Sequence, residues 1–491
     1  MPVNASERNS ARATPAASFG GCRSHIRRST NLAAVCVDPS SGYILGNGGS
    51  RFLRPFPAPH PSTSMIISRP SFLCLLLAAA GSRLLTAAEV QFEKIVLTDR
   101  FHAEAAGLGD IDGDGHGDAV YGPFWYAGPD FAERYPIYPS EDFDPHKYSN
   151  NFATFIADVD TDGHVDVLVN VWPGKEVAWF KNPGSGVRQV AGWQRQLAFP
   201  TVDNESPAFA DISGDGRGEL CFHRGGVLGF AGPSDPSGTD RWPFIACSET
   251  EDWQRYTHGL GVGDVNGDGR ADFLMAGGWW EQPAELARGA WQKHPFDFGS
   301  GGAQMHVADI DGDGDGDIVT SLAAHQYGLA WFEQVPGPAG GISFTRHLIL
   351  PDTADESLSG VQFSQPHAVA VADVNGDGLP DIITGKRYWA HGPKGDPDAA
   401  GTPVLYWFEL TRDPAKTAAE AVSFTPHRID DASGVGTQLT TGDLNSDGRL
   451  DLVIGNKRGG FVFLQRPPGG LSSAGRPAEV TTASGREPEG R

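Results

Sequence analysis

One nine-residue pattern constrains this chain more than any other feature. Asp-x-(Asp/Asn/Ser)-x-Asp-Gly-x-x-(Asp/Glu) occurs seven times, starting at Asp110, Asp158, Asp211, Asp264, Asp309, Asp373 and Asp443. Successive copies lie 48, 53, 53, 45, 64 and 70 residues apart, and self-similarity at such a period marks a repeat architecture. Each copy stands between two short apolar or alternating runs, as 367–372 and 381–384 flank the sixth. An aromatic run follows (405–409), and a fourth run (424–429) leads to the next copy. Four strands per unit, seven times over, predict an all-β fold: a seven-bladed β-propeller with a Ca-binding Asp loop in each blade. Residues 90–97 read as a fourth strand with no blade before it, while the last repeat ends near Phe463 with three. The N-terminal strand is therefore expected to close the ring.

Composition narrows the alternatives. Gly and Pro number 64 and 36, too many for a long-helix or coiled-coil protein. A net charge of −23 argues against nucleic acid as a partner, because phosphate contacts need a basic face. The charge is uneven: residues 1–64 hold seven Arg against Glu7 and Asp38, and 65–88 hold Arg69 and Arg83 with no acid. Removing that +5 and +2 leaves −30 for 89–491. Residues 65–88 run from an Arg through an apolar stretch (72–80) to Thr86, Ala87 and Ala88, the layout of a signal peptide. The apolar stretch is far short of the roughly 20 residues that span a membrane.

The expected organisation is 1–64 disordered or an upstream start, 65–88 signal peptide, 89–467 propeller and 468–491 disordered tail, in a secreted or periplasmic protein. Cys22, Cys36 and Cys74 precede the boundary, leaving Cys221 and Cys247. One disulfide and two free buried thiols both fit that pair.

Five oxygens within nine residues, with Gly at the turn, suit a hard cation, and Ca²⁺ fits better than Mg²⁺, which takes fewer protein ligands. The expected ligands are Asp110, Asp112, Asp114 and Asp118 in the first loop, with the His116 carbonyl, and Asp158, Asp160, Asp162 and Asp166 in the second. They continue with Asp211, Ser213, Asp215 and Glu219, whose Ser and Glu make the third loop the weakest, and Asp264, Asn266, Asp268 and Asp272. Asp309, Asp311, Asp313 and Asp317, then Asp373, Asn375, Asp377 and Asp381, then Asp443, Asn445, Asp447 and Asp451 complete them. With every ligand committed to an ion, these up to seven sites are structural.

The loops resemble the FG-GAP/VCBS-type repeats of calcium-binding propellers over about 89–466. The flanking stretches GPFWYAGPD, DNESPAFAD, THGLGVGDVNGDGR, GGWWEQP, GGAQMHVAD, QPHAVAVAD, GKRYWAHGP and SGVGTQ resemble secreted bacterial propellers similar to the propeller domain of aldos-2-ulose dehydratase. That resemblance implies a sugar substrate and dehydration chemistry.

Residues six before each first Asp open the innermost strands, on the rim away from the loops. They are Glu104, Phe152, Glu205, His258, Ala303, His367 and Thr437, with His306 nearby. Glu104, Glu205, His258, His306 and His367 are the catalytic candidates. Loops after the second strands add Trp125, Tyr126, Trp279, Trp280, His325, Lys386, Arg387, Trp389, His391 and Lys457, aromatic and basic groups that suit a sugar. Two His and two Glu on one axis suit a further divalent metal such as Zn²⁺.

Two function classes fit this funnel. In a carbohydrate lyase or dehydratase, a metal or Arg387 polarises a carbonyl and a His takes the α-proton. In a noncatalytic module for adhesion or scaffolding, the same cluster binds a glycan or a protein. G-x-S-x-G elbows and Walker or Rossmann glycine loops are absent.

Overall fold

A computed structural model describes residues 90–467 apart from 236–240, 287–288 and 355–359. The expected leader, signal peptide and tail lie outside the described residues.

The described strands form five sheets, which divide into seven antiparallel four-stranded units in chain order; the fourth and fifth units are joined by a parallel pair between Leu260–Gly263 and Gln304–Ala308. The sixth is typical: inner strand Pro366–Ala372, then Asp381–Lys386, Leu405–Arg412 and outer strand Val422–Asp430, each paired with the next. The second and third share the 17-residue strand Gln194–Ala210, which ends one unit and begins the next. The seventh takes its outer strand from the start of the chain, where Gln91–Thr98 pairs antiparallel with Gly459–Arg466. This is the predicted closing strand. The inner strands contact one another in sequence, and that of the first unit, Ala106–Gly109, also contacts that of the seventh, Leu439–Gly442. The circuit is a closed β-propeller of seven blades.

Small residues let the inner strands crowd the axis. A Cβ on Gly261 would stand 2.3 Å from the Met305 carbonyl oxygen of the next inner strand, closer than any side chain tolerates. Apolar residues fill the gaps between blades. Ile382, Phe408 and Leu410 of the sixth unit, for example, pack on Val319, Leu329 and Trp331 of the fifth. Each large side chain so buried contributes about 1.5–3 kcal/mol. Cys221 and Cys247 are both buried and free, within one cluster that also contains Phe230 and Trp280. Of the two sequence readings, the free-thiol one holds.

The ninth residue of every Asp loop but the third is a structural pin. Asp118 accepts the Ile111 N–H at 2.7 Å on one carboxylate oxygen and the Gly128 N–H at 2.8 Å on the other. Asp381 does the same with Val374 (3.0 Å) and Leu410 (2.8 Å). Each pin ties the inner turn to the end of the third strand and fixes the loop's direction.

A candidate metal centre on the propeller axis

Four of the seven strand-opening residues meet at the rim opposite the Asp loops, and a fifth group joins them from a loop. His258 Nε2 lies 3.2 Å from Glu205 Oε2, 3.2 Å from His367 Nε2 and 3.1 Å from His325 Nε2, while His367 Nε2 is 3.5 Å from Glu205 Oε2. Ligand atoms of all four residues lie within 4.8 Å of one another. Zinc bonds of about 2.0–2.1 Å set tetrahedral ligand atoms about 3.3 Å apart, so the spacing suits a borderline divalent cation.

The electrostatics agree. Burial lowers His367 to about 3, reinforced by the Arg387 charge, and burial also lowers His325, reinforced by its imidazole neighbours. Both rings are therefore neutral near pH 7, the state in which imidazole ligates a metal. Burial raises Glu205, but hydrogen bonds with His258 and His367 outweigh it and hold the carboxyl well below its ordinary value.

An outer shell braces the centre. Arg387 Nη2 donates to Glu104 Oε2 at 3.1 Å, with both side chains only 1% exposed, and its Nη1 lies 2.7 Å from His367 Nε2. That N–H competes with a cation for His367. Glu205, His258 and His325 alone supply three ligands, the number at which catalytic zinc keeps a position open. His325 Nδ1 lies 4.0 Å from Asp396 Oδ1, and the same oxygen takes His391 Nδ1 at 2.8 Å. At 4.0 Å the Asp396 carboxylate acts on His325 by its charge and not by a hydrogen bond, and His325 Nδ1 has no hydrogen-bond partner. Lys457 Nζ stands 3.8 Å from Glu104 Oε1 and 4.4 Å above the Tyr148 ring; burial lowers its amine to about 8. From Tyr148 an aromatic row runs outward through Trp172 (5.0 Å) to Tyr256 (6.4 Å), which is 45% exposed.

One residue deeper along the strands, glutamines bridge the channel. Gln304 bonds the Thr437 carbonyl at 2.9 Å and the Val369 N–H at 3.1 Å, and Gln438 bonds both backbone groups of Thr154.

Several expectations need correction. His306 is not in the cluster; its Nε2 bonds the Val369 carbonyl at 2.9 Å, because its opposite parity turns it along the channel wall. Trp125, Tyr126, Trp279 and Trp280 are at most 2% exposed and belong to the interblade cores. Trp125 stacks on Tyr135 at 4.7 Å and Trp279 on His294 at 4.0 Å. A third-strand aromatic has two faces and both are taken by its own sheets, so no sugar reaches it. Lys386 is buried against Ser364 Oγ at 2.6 Å. Trp389 stacks on Tyr388 and donates to the Pro145 carbonyl. Arg387, expected as a substrate clamp, is buried as the brace of Glu104 and His367.

Sequence reasoning missed Tyr148 and Asp396, and it read His325 as a substrate contact. Tyr148 and Asp396 sit in the long insertions 137–152 and 387–404, at no fixed offset from a repeat. The stretch HGPKGDPD, which begins at His391, was the one available signal.

In the Asp loops, oxygens of Asp110, Asp112 and Asp118 gather within 4.8 Å, as do those of Asp158, Asp160 and Asp166, and of Asp211, Asp215 and Glu219. Ser213 Oγ bonds Glu219 Oε1 at 2.8 Å, turning the hydroxyl toward its own loop partner.

Comparison with known proteins adds the family. The FG-GAP-like repeat matches residues 158–222, and the FG-GAP repeat matches 366–402 and 435–476. Among solved structures, a lectin of Agrocybe aegerita that recognises non-reducing terminal N-acetylglucosamine is 17% identical, with a TM-score of 0.42, over 77% of this chain and 86% of that one. The V. cholerae biofilm matrix protein Bap1 is 11% identical over 78% and 92%, with a TM-score of 0.40. The rhamnogalacturonan lyase YesW is 13% identical over 76% and 75%, with a TM-score of 0.38. The repeat matches contain the second, third, sixth and seventh Asp loops, and these stretches are accordingly FG-GAP-type repeats.

Proposed function

We propose that the rim centre is a divalent-metal site at which a sugar or uronide undergoes elimination. The observation that carries this reading is the cluster of Glu205, His258, His325 and His367, in which His258 Nε2 lies 3.1–3.2 Å from a ligand atom of each of the other three. A cation held there would polarise a carbonyl or hydroxyl oxygen of the substrate. His258 and His367 then serve as ligands and not as the acid–base groups expected of them. The half-buried Tyr148 and Trp172, with exposed Tyr256, offer ring faces to the C–H face of a sugar. Lys457, its side chain 1% exposed behind Tyr148 and paired with Glu104, has its amine lowered to about 8 by burial and braces the aromatic row from within.

The same reading puts Ca²⁺ in the Asp loops as structural ions. Burial, with Asp377 and Asp373 close by, raises Asp381 to about 6, and a bound cation relieves that cost. The apolar run 72–80 before Ala88 supports export.

Elemental analysis of the purified protein tests the centre, together with ultraviolet assay of unsaturated product from a panel of keto-sugars and uronides. One transition-metal equivalent, lost in His258→Ala, is expected along with turnover of at least one panel member. A protein that neither carries nor takes up zinc at micromolar concentration overturns the reading.

A further inference from the structure

The backbone pins give an internal alignment of the blades that is independent of loop length. In each of six blades, one residue's N–H bonds the ninth-position carboxylate: Gly128, Asn182, Gln282, Gln334, Leu410 and Gln465. The residue just before it stands beside the Asp loop of its own blade. In the fourth, fifth and sixth blades it is glutamate: Glu281, Glu333 and Glu409. Each of those glutamates bonds a histidine on the outer strand, His294, His347 or His427, at 2.8–2.9 Å. Glu409 also reaches its loop, accepting from Asn375 Nδ2 at 3.2 Å.

In the second blade the same position is Lys181. Its ammonium bonds Asp160 Oδ2, and it lies 2.9 Å from Asp162 Oδ2. These are the third and fifth residues of the loop, whose oxygens a calcium ion would need at about 2.3–2.6 Å. The Asp160 side chain is only 5% exposed, which distinguishes this contact from a solvated surface pair. An ammonium and a divalent ion cannot share the same two carboxylates without strong like-charge repulsion.

We propose that Lys181 supplies the cation of the second loop itself, so that this loop takes no calcium while Lys181 is present. Arg188 spans Asp112 and Asp114 of the first loop in the same way, at 2.6 and 3.2 Å, so the proposal rests on the calcium reading of the loops that no such cation spans, the sixth among them. Sequence pattern alone counts the second loop as one of the best matches, since all four of its ligand positions are aspartate. The third strand, twenty-odd residues later, decides otherwise.

Calcium bound per chain, measured by elemental analysis after equilibrium dialysis against excess calcium, tests this on the full-length protein. Lys181→Met should gain one equivalent over wild type, and Lys181→Arg should keep the wild-type number. Asp160→Asn should lose none, whereas Asp373→Asn in the sixth loop should lose one. An unchanged number in Lys181→Met, or one equivalent lost in Asp160→Asn, overturns the proposal. If Lys181→Met fails to fold, Asp160→Asn decides. A wild-type protein without calcium, indifferent to Asp373→Asn, refutes the calcium reading, and the presence or absence of a gain in Lys181→Met still judges Lys181.

Discussion

His258 and His325 come from neighbouring blades and present their Nε2 atoms to each other across 3.1 Å, ring centroids 4.6 Å apart and nearly perpendicular. The same separation serves an N–H···N hydrogen bond in the metal-free protein and two lone pairs converging on a bound cation. Removing either ring should abolish tight zinc binding. Both side chains are partly exposed, so His258→Ala and His325→Ala should each move the melting temperature by no more than about 3 °C. Metal analysis beside a thermal melt checks this; a variant that keeps its zinc removes that residue from the centre.

Asp396 should act through His325. A carboxylate bonded directly to a metal-bound imidazole contributes about 10–100-fold to metal affinity, and Asp396, 4.0 Å from His325 Nδ1 and bonded to His391, should contribute less than that, through its charge. Asp396→Asn should show that smaller loss in a chelator competition, at an unchanged stoichiometry of one. Full wild-type affinity in Asp396→Asn would mean that the carboxylate serves His391 alone.

Arg387 behaves differently from the ligands. It is 1% exposed and faces Glu104, also 1% exposed, so truncation leaves a buried carboxylate unpaired. Arg387→Met should destabilise the protein by about 3–5 kcal/mol. The double variant Arg387→Met, Glu104→Gln should cost less than the sum of the single changes. Additive costs in denaturant melts would show that the pair is not coupled.

Equal offset from equivalent loops made much of this legible in the sequence. Counting six residues back from each first Asp found Glu104, Glu205, His258 and His367, because a closed ring turns equal register into a circle. The same counting failed for His306, where odd parity reverses the side chain's direction. It failed again for Trp125, Trp279 and Trp280, where composition pointed to sugar binding and blade packing claims both ring faces. Tyr148 and Asp396 were hidden because long insertions carry no register. Lys181 was visible as a residue but not as a loop partner, since its contact follows from strand pairing between blade edge and turn.

The ninth-position carboxylates make the cost of lacking cations depend on pH. Burial raises Asp118, Asp166 and Asp317 to about 7, and Asp272, Asp381 and Asp451 to about 6; neighbouring loop acids add to this and backbone N–H groups oppose it. Their ordinary value is 3.8. Between these limits the folded chain binds more protons than the unfolded chain, so the contribution of these groups to stability falls as pH rises from about 4 through about 7. In the loops that no lysine or arginine spans, which excludes Asp166 beside Lys181 and Asp118 beside Arg188, a bound cation stabilises the ionised carboxylates and cancels that fall. Chelated protein should therefore melt progressively lower from about pH 5 to pH 8, while the increase in melting temperature on adding millimolar calcium should grow over the same range. Magnesium at equal concentration should give a smaller increase, because it keeps more of its water and needs stricter geometry. A calcium effect that is flat with pH, or larger at pH 5 than at pH 8, would show that the pins are not charged partners of a bound ion.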